Sequence, residues 1–262
     1  MLRILDARTG EPVDAAPAGR GLVRVHAHPP GADLTGLRVL LVADVLVRAL
    51  EVGGNSAWAT LTSPPDPAAP SGPRDTDDRA APEASGGAAG LLARAAGLGI
   101  RPFEEHPEAE PAPVAMRTVD VVAQGAAATN GPRVEVAAAD GTGQGSAAAP
   151  GDPTVLRLAL LARPRDVPLT LDADVLADAE GTLQSWRSAV AGWATRPSKP
   201  VPEDVRLRLR AAWEDDLDVP AVLDVLRSVE TSGIPEGARF ETYAYADRLL
   251  GLELTREIGT SL

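Results

Sequence analysis

Fifteen consecutive residues, Leu37 to Glu51, carry polar side chains only at Arg38, Asp44, Arg48 and Glu51. A segment this apolar must be buried on nearly every side. Asp44, Arg48 and Glu51 fall at i, i+4 and i+7, so they share one helical face, and Asp44 and Arg48 make a favourable pair. Val39, Val42, Val45 and Val47 are β-branched, which makes a strand the competing reading. Length favours the helix, because strands rarely reach fifteen residues. Just upstream, Val23, Val25 and Ala27 alternate with Arg24, His26 and His28, the period-two signature of a strand. Pro29, Pro30 and Gly31 end it. A strand feeding a buried helix through a tight turn is the opening unit of a Rossmann-type α/β domain.

Composition narrows the chemistry. Hydrophobic residues make up 44 % of the chain but aromatics only 3 %, so the core is built of Leu, Val and Ala. There is no cysteine, which excludes disulfides, thiolate zinc sites and cysteine nucleophiles. Lys199 is the single lysine among 25 basic residues. It lies in the proline-flanked RPSKPVP and reads as solvated surface, leaving no lysine for a phosphate or a Schiff base. A net charge of −12 repels a phosphate backbone. Partners are therefore expected among proteins or small ligands rather than nucleic acid. With no signal peptide and no apolar run near 18 residues, a cytoplasmic location without membrane contact is expected.

Along the chain, Leu2, Ile4 and Leu5 followed by turn residues suggest a small β-ribbon, and SAWATLT from Ser56 to Thr62 suggests a second parallel strand. Residues 62–88 are proline-rich and almost free of large apolar groups, the composition of a disordered or loop insertion. Leu91–Leu98 reads as a short helix, and Val114–Val122 and Pro132–Val136 as strands. Ala137–Gly151 reads as a low-complexity loop. From Pro153 the text turns helical. Val175, Ala179, Leu183, Trp186, Val190 and Trp193 advance by alternate steps of four and three, an amphipathic stripe. Segments 202–214 and 218–230 and a last helix ending at Gly251 complete an antiparallel helical bundle. Two domains are expected: a Rossmann-type α/β domain at 1–151 and a helical bundle at 152–262.

Taken in order, LRILDARTG (Leu2–Gly10), RVLLVADVLVRAL (Arg38–Leu50), LGIRPFEEHP (Leu98–Pro107) and DPTVLRLALL (Asp152–Leu161) resemble class I cysteinyl-tRNA synthetases and the related cysteine ligase of mycothiol biosynthesis. Pro168, Leu169 and the segments DDLDVP and LLGLEL extend the likeness over nearly the whole chain. The resemblance implies a Rossmann-type nucleotidyltransferase-like core, a helical domain, and ATP-dependent activation of an amino acid. The reactive positions depart from it. Where the family carries a His-x-Gly-His motif, this chain has Asp33, Leu34, Thr35 and Gly36, after a shortened loop. Where the family carries a KMSKS-type loop, it has GTGQGSA from Gly141 to Ala147. The zinc cysteines are absent, and the segment for the remaining ligands reads RTVDVVAQG.

Adenylation builds negative charge on the reacting phosphorus and on pyrophosphate, and imidazoles and an ammonium normally meet it. Losing one such contact costs roughly 3–4 kcal/mol. Losing the set slows the step by about five orders of magnitude. The expectation is a shortened, degenerate paralogue, a pseudoenzyme with no catalytic residues. Its vestigial nucleotide pocket would comprise His26, His28, Asp33, Gly36 and Arg38. A remodelled ligase using Arg38 or Arg133 in place of the lost groups is the alternative. ATP stays a candidate ligand, zinc is not expected, and tRNA binding is not expected. His26 and His28, at i, i+2, have a metal-chelating spacing, but a structural or vestigial-pocket role is the stronger reading. Arg38 could meet a phosphate at a helix start, with a surface or inter-domain ion pair preferred. Asp75, Asp77 and Asp78 read as a solvated cluster, and Asp215, Asp216 and Asp218 as helix caps.

Overall fold

The computed structural model describes residues 1–17, 21–62, 87–105, 116–126, 131–141 and 151–260. The insertion expected at 62–88, with Asp75, Asp77 and Asp78, falls almost wholly outside them, as do His106 and most of GTGQGSA. The centre is a five-stranded, all-parallel sheet in the order β5-β4-β3-β6-β7. Its strands are β3 (Leu22–His28), β4 (Ser56–Leu61), β5 (Glu104–Glu105), β6 (Arg117–Ala123) and β7 (Arg133–Val136). The chain enters at β3, runs outward through α1 (Leu34–Val52), β4, α2 (Ala88–Gly97) and β5, and then returns to the other side of β3. The β3–β6 boundary is therefore the point where strand order reverses. In open α/β sheets that is where the crevice beyond the carboxyl ends of the strands takes a ligand.

Val23, Val25 and Ala27 point from β3 into the core, and α1 lies across them with fifteen of its nineteen residues buried. The helix reading of this segment holds. Its only side-chain charges inside the core are Arg38 and Asp44. Two further pairs flank the sheet: antiparallel β1 (Arg3–Asp6) with β2 (Glu11–Asp14), and parallel β8 (Ala139–Gly141) with β9 (Leu169–Leu171). The second pair corrects the loop expected over 137–151, whose first residues are a strand paired with the segment after α3.

The carboxyl-terminal half contains α3 (Pro153–Leu161), α4 (Ala173–Trp193), α5 (Glu203–Glu214), α6 (Val219–Glu230) and α7 (Glu236–Leu250). Asp172 and Asp218 cap α4 and α6 by accepting from Val175 N and Ala221 N. Gly251 ends α7 in the left-handed region at φ 61°. The stripe on α4 is buried from Ala179 onward, and Trp186 and Trp193 meet the Tyr243 ring edge-on at 5.7 and 5.2 Å. Asp216 departs from its expected role as a cap. It sits at φ 56° and accepts from Leu5 N at 2.8 Å and from Arg165, tying the α5–α6 turn to β1.

The apolar core runs without interruption from β3 and α1 into α3, α4, α6 and α7, across the boundary expected at 151/152. At the junction, Arg157 of α3 is fully buried. It donates to Asp44 Oδ2 at 2.7 Å, to the Leu98 carbonyl at 3.1 Å and to the Leu250 carbonyl at 2.6 Å. Arg48 and Arg101 complete the shell around Asp44. Burial alone would push the Asp44 carboxyl up, but the adjacent guanidinium groups hold it below the usual carboxylate value.

Candidate functional site

The carboxyl ends of β3, β4 and β6 carry a polar cluster on the sheet face opposite α1. Parallel register sets His26 beside Thr60 on one side and Asp120 on the other. Its Nδ1 is 2.6 Å from Thr60 Oγ1 and its Nε2 2.9 Å from Thr62 Oγ1, so both ring nitrogens have a hydroxyl partner. His28, two residues on and on the same face, packs edge-on against His26 at 4.4 Å. Its Nε2 lies 3.3 Å from Asp120 Oδ1, a contact that spans the β3–β6 reversal point. Asp120 Oδ2 accepts from Gly131 N at 3.3 Å. Asp120 belongs to RTVDVVAQG, but nothing in local spacing marked it as the histidine's partner, because the parallel register creates the pairing. Among the described residues, no three His, Asp or Glu side chains are grouped to hold a metal ion.

The start of α1 lies beyond the end of β3 and should be the electropositive corner of such a site. Here the chain fills it. Asp33 is the N-cap, and its Oδ1 accepts from Gly36 N at 2.8 Å. A Cβ added to Gly36 would stand 2.0 Å from the Gly31 carbonyl oxygen, so the short Pro29–Asp33 loop is folded down onto the first turn. No side chain fits at Gly36 without moving that backbone. Arg94 of α2 comes to this loop as well, and its Nη1 donates to the Ala32 carbonyl at 3.1 Å.

Arg38 corrects the sequence reading. It meets neither a phosphate-facing edge nor an ion-pair partner. At 1 % exposure it points through the core and donates to the carbonyls of Ala137, Val167 and Pro164 at 3.0, 2.9 and 2.8 Å. Those three carbonyls flank the β8–β9 pair, so Arg38 organises the second half of the chain from inside α1. Burial draws its pKa down to about 10, still charged at neutral pH. Of the five candidate pocket residues, the structure brings His26 and His28 together, places Asp33 and Gly36 at the helix start, and removes Arg38 from the edge. Arg133 pairs with Glu135 at 3.2 Å on β7.

A parallel sheet with its polar cluster at the reversal point, followed by a helical bundle, defines a Rossmann-like α/β protein. No family model matches the chain. Over part of its length it is related to L-cysteine:1D-myo-inositol 2-amino-2-deoxy-alpha-D-glucopyranoside ligases, the mycothiol cysteine ligases, themselves relatives of class I cysteinyl-tRNA synthetases. The protein of Streptosporangium roseum is 41 % identical over 108 residues, 39 % of this chain and 26 % of that protein. Those of Rhodococcus jostii and Streptomyces griseus are 38 % identical over 112 residues and 39 % over 109. These matches cover 40 % and 39 % of this chain and 26 % and 25 % of the respective relatives. The chain thus matches about a quarter of the length of these curated relatives. Among the described residues, no helix is long and apolar enough to cross a membrane.

Proposed function

We propose that this chain is a cysteine-ligase-like paralogue that keeps the scaffold without adenylating activity and acts by binding a protein or a small ligand in the cytoplasm. The observation that carries this reading is the closure of the α1 start. The carboxylate of Asp33 occupies the amide position an anionic phosphate would take, and the Gly31 carbonyl occupies the space a second imidazole would need. A carboxylate there repels a triphosphate, and the resemblance has imidazoles at these positions. Arg38, the cation nearest in sequence, is engaged by three carbonyls in the core. The net charge of −12 favours a protein or small-molecule partner over RNA.

Arg94 supports a second reading, a remodelled ligase in which this arginine serves the nucleotide, since it already reaches the loop ahead of α1. Titration calorimetry with magnesium ATP, in the presence and absence of cysteine, separates the two. The first reading expects no saturable heat at millimolar nucleotide. The second expects binding that Arg94→Ala abolishes.

A further inference from the structure

A second concavity lies in the helical half, away from the sheet edge. It has a volume of about 250 Å³ and sits between α3, α4 and β9, with α6 at its rim. Leu158, Ala159, Leu169 and Ala179 form a buried floor, with Val175 half-buried beside them. The rim is charged in both signs: Arg163 just beyond α3, Asp178 on α4, and Arg227 in the last turn of α6.

Arg163 and Asp178 face the same cavity, yet they are not within ion-pair distance of each other. Neither has a hydrogen bond or ion pair with any described residue. Thr182, one turn beyond Asp178 on α4, also lines the cavity with its hydroxyl unbonded. Arg227 differs, since it pairs with Asp224 at 2.7 Å. Elsewhere several exposed arginines do pair with carboxylates, Arg206 with Glu203 and Arg210 with Glu214 among them. Two opposite charges held apart across an apolar floor match a molecule that carries both charges and an apolar body. A simple carboxylate would meet Asp178, and a simple amine would meet Arg163, as like charges.

We propose that this cavity binds a small zwitterion with an aliphatic body, its carboxylate toward Arg163, its ammonium toward Asp178 and its carbon chain on Leu158, Leu169 and Val175. The volume suits about ten non-hydrogen atoms, and an open site of that size binds on the order of 1 mM. The proposal is independent of the reading of the α1 edge, because none of its residues belongs to that edge.

The test is titration calorimetry of the full chain with L-leucine and 6-aminohexanoate as zwitterions, and with 4-methylpentanoate and 3-methylbutylamine as single-charge controls. Saturable binding of at least one zwitterion is expected, with both controls at least about tenfold weaker, as the loss of one charge contact implies. Arg163→Ala and Asp178→Ala should each weaken binding about tenfold while leaving the circular dichroism unchanged, since both side chains are exposed. Val175→Trp, which fills the cavity, should abolish it. Control binding equal to that of the zwitterions, indifference to Arg163→Ala and Asp178→Ala, or no heat at tens of millimolar would each overturn the proposal.

Discussion

Asp44 and Arg157 are separated by 113 residues and meet at 2.7 Å with neither side chain exposed to solvent. This pair joins the sheet-packing helix α1 to the first helix of the bundle, and the Leu98 and Leu250 carbonyls bind the same guanidinium. A charge desolvated to this degree is tolerated only with its full set of partners. Asp44→Leu or Arg157→Met should therefore destabilise the chain by about 3–5 kcal/mol. The double variant Asp44→Leu with Arg157→Met should cost much less than the sum of the two. Urea denaturation of the four proteins measures the coupling.

Acid stability should have an identifiable source at Asp152. Its carboxylate caps α3, accepting from Thr154 N and Oγ1, and pairs with Arg187 and Arg256. Burial opposes ionisation, but these bonds outweigh it and hold the pKa at about 2, against an ordinary value of 3.8. A depressed folded pKa means the stabilisation is complete above pH 4 and is lost as pH falls through about 2. Asp152→Asn should flatten that limb by up to about 2 kcal/mol. Asp44 acts in the same direction. Asp247, whose pKa burial raises, acts against both. Stability measured from pH 6 to pH 2 for wild type and Asp152→Asn checks the sign.

The Tyr243 hydroxyl donates to the Leu226 carbonyl at 2.9 Å inside the bundle, and burial pushes its pKa well above the ordinary phenol range. Tyr243→Phe keeps both edge-on tryptophan contacts and leaves that carbonyl without its donor. It should cost about 1–2 kcal/mol. Trp186→Ala removes a large buried ring and the bond to Glu230, and should cost about 3–5 kcal/mol. Thermal unfolding ranks the two.

At the α1 start, restoring family-like residues should not restore chemistry. Gly36→His drives a Cβ into the Gly31 carbonyl, and it should destabilise by several kcal/mol or force the loop open. Asp33→Ala removes a cap and should cost about 1 kcal/mol. The stability of the two single variants, read in denaturant, separates a collapsed loop from an open one. A neutral Gly36→His would mean the loop yields freely.

Local pattern reached much of this fold. The β3–α1 unit was legible because its apolar residues follow a strand period and then an almost unbroken buried run. The α4 stripe and the Asp218 and Gly251 signals gave the bundle its helices. What escaped were contacts made between distant segments. Arg38 read as a surface or inter-domain ion pair because one arginine in a first turn carries no sign of the three carbonyls waiting 99 to 129 residues later. Three-residue strands such as β8 and β9 are too short to show a period. Asp216 was grouped with its acidic neighbours as a cap, whereas its left-handed backbone turns the carboxylate toward β1. At the sheet edge, His26 and His28 could be assigned to one face by alternation. Their partners Thr60, Thr62 and Asp120 could not, since strand order and register decide them.

The central claim is that the edge of the sheet no longer supports adenylation. Its most direct test is ATP–pyrophosphate exchange by the full chain with cysteine and a panel of other amino acids. The account predicts exchange no faster than an enzyme-free blank. Exchange that saturates with an amino acid and depends on Arg94 would contradict it.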